Sequence, residues 1–300
     1  MAFCLACAFA LVLVFTLAGC GGSSGGGGGK ASTPATGADF DPPSSLDMPE
    51  PSAGATIDVS HASEGYITAQ ATNSSRLKFQ VTSGDMSYNY DLPNTGEPIV
   101  VPVNMGSGSY TLRVMQNTSG SNYVEVSRED IDIQLESEFA PFLIPNVYCN
   151  YNSNSACVAL ARQLTENSQN QGEAVATVLT YLQENISYDQ AKAKQLSGQS
   201  GYVPNPDETL ASKKGICFDY ASLAAAMLRS LGFPTKIITG YVGPNNIYHA
   251  WIMVYADGSW QTAEFSLSPK DWSRMDVTFA AAGQTEFTGN GTGYVDRYVY

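Results

Sequence analysis

KKGICFDYASLAAAMLRSLG, residues 213–232, sets one cysteine at the mouth of a helix. Ala221, Ala224, Met227, Leu228 and Leu231 recur at helical spacing and predict one buried face. Gly232 followed by Phe233-Pro234 is a helix stop. Cys217 therefore belongs in the first turn. There the unpaired backbone N–H groups and the positive end of the helix dipole favour a thiolate, the form in which a cysteine is nucleophilic. A lone cysteine beside an apolar helix also serves as a small core residue. What stands around it decides between the two.

The chain has two histidines, His61 and His249. His249 lies in Tyr248-His249-Ala250-Trp251-Ile252-Met253-Val254-Tyr255, a run of aromatic and β-branched residues that reads as a strand. His249, Trp251 and Met253 share one face of it. A thiol nucleophile needs a nearby base, and His249 is the candidate in this half of the chain. An imidazole base is held by a carboxylate or amide on its other nitrogen. Asp276 fits, in a short strand-like segment after the polar turn at Ser268-Pro269-Lys270-Asp271. Glu264, four residues after Trp260, is a rival carboxylate.

These blocks resemble the transglutaminase-like superfamily, which shares the papain-like cysteine fold. Gly-Ile-Cys-Phe-Asp-Tyr-Ala-Ser-Leu at 215–223 resembles its nucleophile segment. Tyr-His-Ala-Trp at 248–251 is similar to its histidine segment. Trp-Ser-Arg-Met-Asp-Val-Thr-Phe at 272–279 is similar to its Trp-x-x-x-Asp-Pro-Thr segment, with Val277 where proline is usual. The likeness runs from roughly Phe139 to Thr278. It implies catalytic Cys217, His249 and Asp276. It also implies an aromatic or amide side chain ahead of the nucleophile that serves the oxyanion, for which Tyr202 is the match. The backbone N–H of Cys217 is a further donor. The fold class implied is α+β. A papain-like, transglutaminase-like core of helices packed on an antiparallel sheet follows a small all-β sandwich.

Residues 1–19 read as a signal peptide. Leu5 to Leu17 is almost wholly apolar and short for a spanning helix. Leu17-Ala18-Gly19-Cys20 resembles a bacterial lipobox, which makes Cys20 the lipidated first residue of an exported protein tethered to the outer face of the membrane. A plain secretory signal is the alternative. Residues 20–55, rich in Gly, Ser and Pro, are expected to be a disordered linker. Residues 56–136 carry short alternating runs such as Leu77-Lys78-Phe79-Gln80-Val81, punctuated by Gly, Asn and Ser, and predict the sandwich. Residues 137–300 form the second domain. Its expected helices are Cys157 to about Asn167 and Glu173 to Asn185, with a polar loop from Tyr188 to Ser212.

After processing and lipidation, Cys149, Cys157 and Cys217 remain. Cys149 and Cys157 are close enough in sequence to close a small loop outside the reducing cytosol, leaving Cys217 odd; all three reduced is the other possibility. Their spacing does not suit zinc. There is no phosphate loop, dinucleotide fingerprint or EF-hand loop, so no cofactor is expected. In 300 residues the net charge is −13, which argues against a nucleic-acid partner. The expected partners are a protein or peptide substrate and, through Cys20, a membrane. Oligomeric state is left open. The implied chemistry is acyl transfer through a thioester, with amine or water as acceptor. The alternative is a catalytically silent envelope-binding lipoprotein.

Overall fold

The structure, a computed structural model, describes residues 40–49, 54–242, 247–256, 258–263, 266–267, 275–276 and 294–300. The signal and lipidation segment, including Cys20, lies outside them.

The first unit contains β1 (Ala55–Asp58), β2 (Tyr66–Ala71), β3 (Leu77–Ser83), β4 (Met86–Leu92), β5 (Ile99–Pro102), β6 (Gly108–Ser119) and β7 (Asn122–Ile133). They form two antiparallel sheets, ordered β1-β2-β5 and β4-β3-β6-β7. Period-two patterning decides which face each strand buries. Along β3, Leu77, Phe79 and Val81 are buried and Lys78, Gln80 and Thr82 are not; along β6, Tyr110, Leu112 and Val114 are buried. These side chains share one core with Ile67, Ala69 and Val101 of the facing sheet.

The second unit begins with α1 (Ala156–Thr165) and α2 (Gln171–Asn185). It continues through β8 (Ser187–Tyr188), α3 (Gln190–Leu196), α4 (Pro206–Ser212), β9 (Lys214–Gly215) and α5 (Cys217–Arg229). The strands β10 (Thr235–Val242), β11 (Ile247–Ala256), β12 (Ser259–Ala263), β13 (Ser266–Leu267), β14 (Met275–Asp276) and β15 (Tyr294–Val299) complete it. The main sheet is antiparallel, ordered β12-β11-β10-β15. Gly240 of β10 permits the close approach of β15. A Cβ there would lie 2.1 Å from the Val295 carbonyl oxygen.

Helix α5 lies against β10 and β11, with α1, α2 and α4 around its other sides. Sequence periodicity predicts one buried face. Instead every residue from Asp219 to Arg229 is buried. Alanine at 221, 224, 225 and 226 lets neighbours close in on all sides, and the polar members have partners. Ser222 Oγ donates to the Tyr148 carbonyl at 2.6 Å and Ser230 Oγ to the Met227 carbonyl at 2.7 Å. The helix ends as expected: Gly232 has φ +80° and the Phe233 N–H returns to the Leu228 carbonyl at 3.0 Å.

Three readings change. The polar loop expected from Tyr188 to Ser212 holds two helices. Asp189 caps α3 through the Lys192 N–H, and Asn205 caps α4 through the Glu208 N–H, with Pro206 in its first turn. Within the expected disordered linker, residues 40–49 are placed along the protein. The Ser153 N–H donates to the Pro43 carbonyl at 3.0 Å, Arg162 pairs with Asp41 at 2.9 Å, and His61 meets Asp47 at 3.7 Å. His61 also stacks on Tyr66 at 4.9 Å and bonds Glu64 at 2.9 Å, a packing role. Third, Cys149 and Cys157 are free buried thiols, not a disulfide. Both sit in the core beneath α5, and the Cys149 thiol donates to the Ser222 carbonyl at 3.7 Å. Among the described residues no helix is long and apolar enough to cross a membrane.

Burial also sets an alkaline limit. It pushes the Cys149 thiol up to about 11 and the Tyr110 phenol up to about 12. Each holds its proton more tightly folded than unfolded. The stability this gives is complete below pH 9, the ordinary thiol value, and is lost as pH rises through 11 to 12. Melting temperature is expected to be level up to about pH 9 and to fall steadily above it. A scan in matched buffers that stays flat to pH 11 would contradict this.

Candidate active site

Cys217 is the first residue of α5 and is half-buried. The backbone N–H groups of Ala250, on β11, and of Phe218 lie near enough to its sulfur to favour the thiolate. Ala250 follows His249 in the chain. His249 is buried at 7% exposure, sits opposite Gly240 in the sheet and stacks on Trp251 at 6.4 Å. Helix α5 packs on β11, the strand that carries His249 32 positions after Cys217; Ala250 joins the core beside α5, and His249 shares the other face of the strand with Trp251. The backbone of Asp276 pairs with Ser266. Its side chain lies outside the described residues, as do Glu264 and Trp272–Arg274.

The thiol differs from expectation in its acidity. Burial pushes it up to about 11. The Ala250 and Phe218 N–H groups pull it down, and the Asp219 carboxylate raises it. Loss of water around the sulfur outweighs the helix N-terminus, a balance that sequence position alone does not give.

Asp219 is the feature that sequence reasoning missed. It is the third residue of α5 and is fully buried. Its Oδ2 accepts the Ile216 N–H at 2.8 Å, capping the helix, and pairs with Lys192 Nζ at 2.8 Å. Its Oδ1 accepts the Tyr202 hydroxyl. Tyr202, expected as an oxyanion donor, thus donates its hydrogen bond to Asp219. Burial and this bond hold its phenol well above the ordinary range. The available signal was an acid three residues after a helix cap, the pattern in which a carboxylate turns back on the cap N–H. Two hollows flank the Lys192–Tyr202 ridge. One of about 430 Å³ is lined by Asn205, Glu208 and Lys214, and one of about 480 Å³ by Asp189, Gln195 and Leu196. Neither has Cys217 in its lining.

A cysteine opening a buried helix, set against a histidine strand, is a site of the cysteine-enzyme class. Residues 158–276 match the model of the transglutaminase-like superfamily, so this part of the chain is a transglutaminase-like domain. An uncharacterised protein of Mycobacterium leprae is 25% identical over 132 residues, which are 41% of this chain and 44% of that protein. The chain thus spans less than half the length of the curated relative it matches. Among solved structures, a candidate cysteine protease from Cytophaga hutchinsonii aligns over 79% of this chain and 86% of its own, with 17% identity and a TM-score of 0.37. Red sea bream transglutaminase aligns over 70% and 49%, with 14% identity and a TM-score of 0.27.

Proposed function

We propose that this chain is an exported enzyme, anchored through lipid on Cys20, that transfers acyl groups from protein or peptide amides by way of a thioester on Cys217. The observation that carries this reading is Cys217 at the start of α5, within reach of the Ala250 N–H of β11, the strand that also holds His249. The sulfur attacks the amide carbonyl carbon while His249 takes the thiol proton. The C–N bond then breaks, and His249 returns that proton to the departing nitrogen. An amine or water releases the acyl group from sulfur. Because burial keeps the resting thiol protonated, the proton moves when the substrate arrives, and His249 acts as a general base in the attacking step. Asp276 is assigned to holding the imidazole. The Cys217 backbone N–H is the donor assigned to the oxyanion. Tyr202 is committed to Asp219.

Mass spectrometry of a glutamine peptide, with and without a primary amine, tests the reaction. A product heavier by the amine less ammonia identifies transfer. Replacement of the side-chain amide by a carboxyl identifies deamidation, and chain cleavage identifies a peptidase. If a panel of such peptides gives none of the three, the enzyme reading falls and the domain is a binding module.

A further inference from the structure

Asp219 carries a charge inside the protein two residues after the nucleophile, and its surroundings hold it in place. Gly215 packs so tightly on it that a Cβ there would come within 2.6 Å of the Asp219 Cβ. The carboxylate caps Ile216, so the start of α5 depends on it. Yet its charge works against a thiolate at Cys217, because like charges at short range disfavour each other in a poorly hydrated setting. The cation paired with it is Lys192, delivered by α3 from outside the α5 bundle. The Lys192 ammonium also lies 4.6 Å from the centre of the Tyr202 ring, and that ring leans on Phe218 at 6.5 Å.

We propose that Lys192 is a positioning residue of the cysteine site, acting through the buried Asp219 carboxylate it pairs with. This rests on the reading of Cys217 as the nucleophile. Lys192 offsets the capping charge, so that Asp219 orders the start of the helix without suppressing the thiolate. The groups facing Cys217 are Asp219 from its own helix and Tyr188 on β8, with the Ala250 N–H from β11. Those facing Asp219 are Lys192 on α3, Tyr202 from the segment before α4, Tyr188, and Tyr220 beside it. Asp189 and Glu208 stand near Tyr188 and Tyr202 respectively and add negative charge to the rim. Lys192 is the one ammonium in that set, so its removal leaves the carboxylate facing the sulfur unopposed.

The test is the rate of iodoacetamide alkylation at the Cys217 peptide, read by mass spectrometry after brief pH jumps from pH 6 to 12 in the full chain, a range that takes in the thiol's value of about 11. In Lys192→Met the inflection is expected to move up by about one pH unit, and the rate below it to fall about tenfold. Lys192→Arg should restore most of the wild-type profile, since it keeps the charge. Asp219→Asn removes the charge and is expected to move the inflection down. Combining Asp219→Asn with Lys192→Met should cancel the effect of the lysine. A Lys192→Met protein that melts lower but keeps the wild-type inflection would show Lys192 to be a structural staple and overturn the proposal. Should that variant not fold, an inflection in Asp219→Asn that rises or stays put overturns it equally. Wild-type protein unreactive across the whole range would instead overturn the nucleophile reading itself.

Discussion

Cys217→Ser is expected to lower acyl transfer by about four orders of magnitude or more while leaving the fold unchanged. The hydroxyl is nearly isosteric with the thiol, and the Ala250 and Phe218 N–H groups that meet the sulfur find an oxygen acceptor in its place. No large apolar contact is lost, so melting temperature should shift by no more than a few degrees. Chemistry changes far more than packing, because an alcohol beside an imidazole is a much weaker nucleophile than a thiol. Under the proposed mechanism His249→Ala should cost a comparable factor, since the thiol, raised to about 11 by burial, then loses its assigned base. The other two cysteines do not provide a substitute. Cys149 and Cys157 are fully buried, and burial holds both thiols above their ordinary value. Activity retained in Cys217→Ser would place the chemistry elsewhere and end the thioester mechanism.

The cysteine helix and the histidine strand were each legible because each is a local pattern. Small residues around a cysteine open an apolar helix, and a histidine sits among β-formers. What joins them is not local, and it is there that sequence reasoning runs short. Strand β15 reads YVDRYV and carries no mark that it will pair with β10, far back in the chain, across Gly240. The α4 start was legible in principle, since Asn205-Pro206-Asp207-Glu208 is a capping sequence, but the glycine and polar content around it pointed to a loop. The thiol's acidity depends on water excluded by elements from several parts of the chain. Tyr202 matched a family position, yet the buried Asp219 carboxylate, 17 residues further on, accepts its hydrogen bond. A polar residue on an apolar helix is read as its solvent face. In α5 that rule fails at Asp219, Ser222 and Arg229, each of which is buried with partners.

Arg229 supports the second large expectation. Its guanidinium is fully buried and donates to three carbonyl oxygens: Nε to Thr235 at 2.9 Å, Nη1 to Ile144 at 2.7 Å and Nη2 to Tyr300 at 3.0 Å. The three acceptors come from the start of β10, from the segment entering the second unit, and from the residue after β15. One side chain thus ties the end of α5 to three separated stretches. The Tyr300 ring in turn packs on Tyr148 at 4.6 Å and on Tyr88 of the first unit at 5.7 Å. Arg229→Met fills similar space but supplies no donor. It leaves buried carbonyls short of partners, at about 1 to 3 kcal/mol for each one left unsatisfied. The Tyr300 oxygen also accepts the Ile237 N–H at 2.8 Å, so it keeps one bond. The expected loss is about 4 kcal/mol, near the range for breaking a buried charged network, with a fall in Tm of roughly 10 °C. Arg229→Lys should recover only part of this, because one ammonium does not reach three divergent oxygens. Amide exchange should locate the damage: protons of β15 and of the β10 residues facing it should lose protection before those at the Cys217 end of α5. A methionine variant within about 1 kcal/mol of wild type would mean that burying the guanidinium costs nearly as much as its bonds return, which buried ions elsewhere show is possible. The link between the end of α5 and β15 would then rest on the tyrosine packing alone.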